Sequence, residues 1–210
     1  MSNPERGFDT EAVNWDENPA KVKLAEETVA AIAKEVALNS KMDVLDFGCA
    51  TGLITLRIAP RVGSITGVDS SQTMLDALRQ KVRMQGCENV SARHVEPGDE
   101  VSGCYDVIIV SMTLHHIEHV KPLLGQMYEA LRSPGYLCVV DLDPDDGEFH
   151  KSDNGVFHCG FERPSLRQSL VESGFSRVKD VSVAEVTKPA RSGALRNFSV
   201  FLMVGEKVSG

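Results

Sequence analysis

The sequence predicts an α/β fold: a mainly parallel sheet with helices packed on both faces. Three observations lead there. Met42 to Phe47 is a short apolar run of the kind a buried parallel strand needs, and it ends in the small-residue turn Gly48-Cys-Ala-Thr-Gly52. Thr51 to Ile58 then reads as a helix whose apolar face is Leu53, Ile54, Leu56 and Ile58. Further strand-like runs alternate with helical stretches along the rest of the chain, as in a doubly wound sheet.

Strand, glycine turn and helix form the unit that holds a nucleotide-like ligand at the carboxyl end of a parallel sheet. Gly48 and Gly52 allow a sharp turn and a close approach to a ligand. The helix that follows offers free N–H groups to an anionic part of it. A dinucleotide site wants Gly-x-Gly-x-x-Gly, with the backbone pressed against a pyrophosphate. Here the order is Asp46-Phe-Gly48-Cys49-Ala50-Thr-Gly52, with Ala50 where the middle glycine belongs. This Asp-x-Gly-x-x-x-Gly pattern resembles motif I of the class I S-adenosylmethionine-dependent methyltransferases. An aminoacyl group asks less of the loop than a pyrophosphate does. A carboxylate at the strand end, Asp46, suits the cofactor's ammonium, directly or through water.

Composition narrows the function classes. The 210 residues suffice for one α/β domain with a sizeable core, and the expected organisation is a single domain over 1–210. A net charge of −8 argues against a nucleic acid partner. The five cysteines are scattered, with no C-x-x-C pair, and read as reduced thiols of a cytoplasmic protein. No apolar run has the length of a membrane span. Met1 to Asp9 is polar and carries no signal peptide.

In chain order, residues 1–17 read as an arm. Phe8-Asp-x-x-Ala12-x-x-Trp15-Asp-x-x-Pro19 resembles the segment that folds over the cofactor as a lid in many small-molecule methyltransferases. The competing reading is an aromatic staple that pins the arm to the domain. Asn18 and Pro19 then open a helix, a capping side chain followed by proline at the first position, with its buried stripe reaching Leu38. Ser64 to Asp69 is the second strand. Asp69 stands at its end, about 20 residues beyond the glycine turn, where an acid accepts hydrogen bonds from ribose hydroxyls. Capping of the next helix, Gln72 to Gln85, is the alternative duty, and Ser70 and Ser71 also serve it. The resemblance sets Met74 against the adenine or ribose edge. Asn89 to Val95 is the third strand. The family's adenine-contacting acid is missing from its usual place after it, and Glu96 or Asp99 is the substitute. Gly98 to Gly103 is too short and broken for a crossover helix.

Tyr105 to Ser111 is a strongly β-branched run, hence a central fourth strand. The Asn/Asp-Pro-Pro-Tyr/Phe stretch of methyltransferases acting on base amines or glutamine does not follow it. The stretch from Ser111 through Leu114, His115 and His116 instead resembles the small-molecule and quinone-type enzymes, whose loop here lines the floor of the site. His115 is the candidate general base, against a structural role for both histidines. Metal ligation by His115 and His119, four apart, lacks an H-E-x-x-H or cysteine partners, and no metal is expected. Val120 to Arg132 is a helix closed by Ser133-Pro134-Gly135, and Tyr136 to Leu142 is strand five. The acid-rich loop that follows reads as solvated or substrate-facing. Residues 143–162 form an insertion whose His150, Phe157, His158 and Phe161 either line an acceptor pocket or anchor an irregular loop. Pro164 to Ser173 is the last helix. Phe175 to Val186 and Asn197 to Glu206 are a closing antiparallel hairpin.

The resemblance thus runs from Phe8 to Glu206. It implies a three-layer Rossmann-like seven-stranded sheet, order 3-2-1-4-5-7-6, with the last strand antiparallel. It implies S-adenosylmethionine as cofactor and methyl transfer to a small molecule through O, N or C. The cofactor residues carried over are Trp15, Asp46, Gly48, Cys49, Ala50, Gly52, Asp69, Ser70, Met74, Glu96 and Ser111, with His115 catalytic. A homodimer is left open. The rival readings are a non-catalytic S-adenosylmethionine-binding protein and, on the same sheet plan, a nicotinamide-dependent oxidoreductase.

Overall fold

The computed structural model describes residues 12–208; Phe8 and the rest of the expected arm lie outside them. Seven strands form one sheet: β1 Asp43–Phe47, β2 Ser64–Asp69, β3 Val90–His94, β4 Tyr105–Ser111, β5 Leu131–Leu142, β6 Ser176–Pro189 and β7 Leu195–Lys207. Their order is β3-β2-β1-β4-β5-β7-β6. β1 to β5 run parallel, and β7 runs antiparallel to both β5 and β6. The expected architecture is therefore present.

Alternate residues of the central strands feed two cores, which is why these strands read as unbroken apolar runs. Val44, Val107 and Ile109 face one layer with Ile32 of α1 (Pro19–Glu35) and Ile58 of α2 (Leu53–Ile58). Leu45, Ile108 and Val110 face the other, with Leu124 and Met127 of α4 (Val120–Ala130) and Leu166 and Leu170 of α5 (Arg163–Glu172). Leu75 and Leu78 of α3 (Gln72–Gln85) close a smaller cluster over Cys49. Asn18 caps α1 by accepting from the Ala20 N–H at 3.0 Å, with Pro19 at the first helical position. Among the described residues no helix is long and apolar enough to cross a membrane.

Two boundaries differ from expectation. The helix expected to reach Arg132 ends at Ala130, because the buried Leu131 already pairs with Tyr105 in the sheet. The closing hairpin is longer than the sequence suggested. Pairs Thr187↔Asn197, Lys188↔Arg196 and Pro189↔Leu195 extend the ladder, and Pro189 is tolerated because β6 is an edge strand.

Candidate active site

The glycine turn is built by backbone bonds to its neighbour strand. The Gly48 and Cys49 N–H groups donate to the Val68 carbonyl at 2.8 and 3.0 Å, and the Gly52 N–H to that of Cys49 at 2.8 Å. Gly48 (φ 77°) and Gly52 (φ 82°) are left-handed, as turn glycines permit. Ala50 adopts φ 47° as well, a local strain of the kind found at ligand sites. The Ala50 N–H is held at 2.8 Å by Asp69 Oδ2, while the other oxygen accepts from the Ser71 N–H at 2.9 Å. A carboxylate at the end of β2 thus fastens the turn at the end of β1. Burial pushes the Asp69 carboxyl up, against the backbone N–H groups that favour its charge.

Asp46 points elsewhere. It is 1 % exposed and accepts from Thr55 Oγ1 of α2 at 2.5 Å. Burial, reinforced by the charge of Asp69, raises its carboxyl to about 6, with the Thr55 bond pulling the other way. Met74 is also buried, and Ser71 rather than Ser70 caps α3, accepting from the Met74 N–H at 3.2 Å. Ser70 is exposed, and its carbonyl lies 3.0 Å from His94 Nε2. Glu96 is exposed beyond β3, while the Asp99 carboxylate is engaged by the Glu96 N–H at 2.8 Å.

The arm reaches this turn through a residue that sequence reasoning missed. Asp16, in the short 3-10 helix Ala12–Glu17, accepts from Thr51 Oγ1 at 2.6 Å and pairs with Lys81 at 2.5 Å. Trp15 beside it carries the Lys21 ammonium 3.0 Å from its ring centroid. A cavity of about 290 Å³ under the arm is lined by Asp16, Gly52, Leu56 and Lys81, and by neither Asp69 nor His115.

A second turn, after β4, packs against the first. A Cβ built on Gly48 would fall 2.2 Å from Thr113 Oγ1, so only glycine lets the two turns touch. Thr113 in turn donates to the Ser111 carbonyl at 2.9 Å, and Met112 between them sits at φ 52°. The 3-10 turn Leu114–His116 follows. His115 is 1 % exposed, and its Nδ1 lies 2.7 Å from Asp141 Oδ1 at the end of β5. The backbone N–H of His115 donates to Asp141 Oδ2 at 3.2 Å, and that of Leu142 to Oδ1 at 2.8 Å. With the carboxylate accepting from Nδ1–H, Nε2 keeps its lone pair.

The insertion folds back over this turn. Phe157 and His158 donate their N–H groups to the His115 carbonyl at 3.0 and 3.2 Å. His158 Nε2 stands 2.9 Å from the carbonyl of Ile117. The acids of the loop mostly serve the fold: Asp145 accepts from the N–H groups of Gly147 and Phe149 at 2.8 and 3.1 Å, and Asp143 pairs with Arg163. His150 comes beside His115 and His116, the three offering ligand atoms within 4.8 Å of one another, whereas His119 is exposed and outside the group. Sequence spacing points to neither Asp141 nor His150 as a partner of His115; the adjacency of β4 and β5 brings Asp141, and the return of the loop after β5 brings His150.

Known proteins resemble this chain in sequence and in fold. The profile of a family described as "Methyltransferase domain" matches residues 38–172. An uncharacterized methyltransferase of Schizosaccharomyces pombe is 32% identical over 164 residues, covering 70% of this chain and 58% of that protein. A malonyl-[acyl-carrier protein] O-methyltransferase of Bacillus anthracis is 26% identical over 141 residues, covering 63% of this chain and 50% of its own length. The chain thus spans about half the length of these curated relatives. A SAM dependent methyltransferase from Aquifex aeolicus shares the fold with a TM-score of 0.70 at 18% identity, over 95% of this chain and 98% of that one.

Proposed function

The chain belongs to the class I S-adenosylmethionine-dependent methyltransferases, and on that premise we propose that it moves a methyl group from S-adenosylmethionine to a small-molecule acceptor. The observation that carries this reading is the bond between Asp69 and the Ala50 N–H. It makes the ribose-type acid and the glycine turn one binding surface. Asp69 accepts from the backbone N–H groups of Ala50, Ser71 and Ser70, which still leaves lone-pair capacity for a ribose hydroxyl. The cationic cofactor suits the rest of the turn, since burial raises both the Asp46 and the Asp69 carboxyls and a nearby cation favours their charged forms. Gly48, Cys49, Ala50 and Gly52 would hold the methionyl end. Glu96 would stand by the adenine, with Ser70 and Met74 at its flank. Trp15 and Asp16 belong to the lid that excludes water. The chain is one methyltransferase unit, with 1–17 as arm and 143–162 shaping the acceptor side.

The cofactor supplies an already activated methyl; the protein's task is alignment in a dry site. Ser111 and His115 face the acceptor side. Asp141 keeps the proton of His115 on Nδ1, so Nε2 is the atom that takes the proton of an acceptor hydroxyl. The oxygen lone pair then bonds the methyl carbon, and the carbon–sulfur pair returns to sulfur. That one relative is by name an O-methyltransferase favours oxygen as the accepted atom. The five cysteines are all free thiols, which supports a reducing cytoplasmic setting.

Thermal unfolding with S-adenosylmethionine, S-adenosylhomocysteine, NAD and NADP, each in turn, tests the reading. A ligand at a hundred times its dissociation constant stabilises by about 2.7 kcal/mol. The expected outcome is a shift with the two sulfur ligands alone, largely lost in Asp69→Ala. A shift with NAD and none with the sulfur ligands overturns it. Turnover of any acceptor separates an enzyme from a binding protein.

A further inference from the structure

We propose that His115, His116 and His150 form a site for a borderline divalent metal ion of the zinc class, which holds the ionisable O–H or S–H of the methyl acceptor. The role, though not the site, rests on reading the β4 end as the acceptor side. Three imidazoles offer ligand atoms that all lie within 4.8 Å of one another. Their ring centroids are 3.9, 4.9 and 5.3 Å apart. Nitrogens around a tetrahedral ion at about 2.0–2.1 Å sit roughly 3.4 Å from each other, so a pair at the 4.8 Å limit draws in by about 1.4 Å. His116 and His150 are half-buried, and His115 is buried.

The donor set selects the ion. Imidazoles without a carboxylate suit zinc, cobalt, nickel or iron and not magnesium or calcium. Three protein ligands also leave a tetrahedral ion one open position, the hallmark of a site that acts on a substrate. The surroundings are those such a ligand needs. Asp141, fully buried, takes Nδ1 of His115 at 2.7 Å, which orients the ring and frees Nε2 for the ion. The loop that delivers His150 is pinned by Asp145, 4 % exposed, through the N–H groups of Gly147 and Phe149. Phe149 packs edge-on against Phe198 of β7, with centroids 5.1 Å apart. The third histidine is therefore held in place and not left on a free loop.

With an ion on its Nε2, His115 is a ligand and no longer the base, and the ion does the work that the lone base would do. It makes the acceptor's O–H or S–H more acidic, so the proton leaves to solvent. The lone pair left behind bonds the methyl carbon, and the carbon–sulfur pair stays on sulfur, turning sulfonium into thioether. No oxidant or reductant is involved.

The test uses the untagged full chain, stripped of metal by a chelator and dialysed. It is titrated with Zn²⁺ and with Co²⁺, whose visible spectrum reports coordination. His116→Ala, His150→Ala and His119→Ala are titrated alongside, with circular dichroism confirming their fold; His115 is left intact because it is buried. The expected result is a single bound ion per chain with four-coordinate cobalt bands. Affinity falls by at least about tenfold in His116→Ala and His150→Ala and is unchanged in His119→Ala. Absence of binding, or binding indifferent to His116 and His150, overturns the site. Calorimetry with S-adenosylhomocysteine on the same samples separates the two readings. Nucleoside bound without metal overturns the metal site and leaves the methyltransferase reading standing. Metal bound by these histidines without nucleoside upholds the site and removes its acceptor role.

Discussion

Asp46 carries the most testable single charge in the molecule. Its carboxyl is raised from 3.8 to about 6, chiefly by burial. The folded state therefore keeps a proton that the unfolded chain has released. The stabilisation this gives is fully present below about pH 4 and is lost as the pH rises through about 6. A difference of about 2 units corresponds to roughly 3 kcal/mol. Asp46→Asn retains an acceptor for Thr55 and removes the ionisation. At neutral pH its denaturation midpoint should lie above the wild type's, and the gap should close on acidification towards pH 4. A gap that does not vary with pH would show that Asp46 does not carry this charge. On the proposed reading the ionised form attracts the ammonium of the cofactor, so affinity for S-adenosylhomocysteine should weaken as the pH falls through about 6.

At the scale of elements, the turns after β1 and β4 press on one another, and on the proposed reading this contact couples the cofactor side to the acceptor side. Gly48 is left-handed, where an L side chain costs about 1–2 kcal/mol. An added Cβ would also fall 2.2 Å from Thr113 Oγ1 and 2.5 Å from its Cγ2. Gly48→Ala should therefore lose about 2 kcal/mol or more in chemical denaturation. The double variant Gly48→Ala/Thr113→Ala should recover part of that loss, since the clash is relieved and the strain is not. Strictly additive effects would mean that the two turns do not press on one another. The left-handed Ala50 and Met112 lie on these same two turns, so strain is concentrated where the proposed site lies.

At the scale of the whole molecule, Arg163 ties the segment 143–162 to the scaffold. Its Nε and Nη2 donate to the two oxygens of Asp143 at 2.7 Å each, and Nη1 reaches Asp180 of β6 at 3.2 Å. One guanidinium thus joins the start of α5, the end of β5 and an edge strand. Arg167 reinforces it through Asp180 and the Val178 carbonyl. Lysine keeps the charge and loses the fork. Arg163→Lys should cost about 1–3 kcal/mol, seen as a melting point lower by several degrees. Limited proteolysis should then cut within residues 143–162 sooner than in the wild type. Unchanged melting and cleavage would remove Arg163 from this role.

Local pattern determined much of this protein. The apolar strand runs, the small-residue turn and the acid at the end of β2 were legible because their signals are short-range: side-chain period, residue size, and a spacing set by one strand–helix–strand unit. The strand order followed from resemblance to a known family. Tertiary structure alone decided which side chains meet. Asp46 reads in sequence as a ligand-facing acid, and the fold adds a contact the sequence does not show, the bond it accepts from Thr55 of α2. The spacing of His115 and His119 suggests a metal pair but lacks further ligands in sequence, and in the fold the 3-10 turn places His115 beside Asp141, His116 and His150 instead. Asp16 reaches Thr51 and Lys81 only because the arm crosses the turn. Each of these contacts joins segments far apart in the chain. They depend on which strands lie side by side and where loops return, and no periodicity within one segment encodes that.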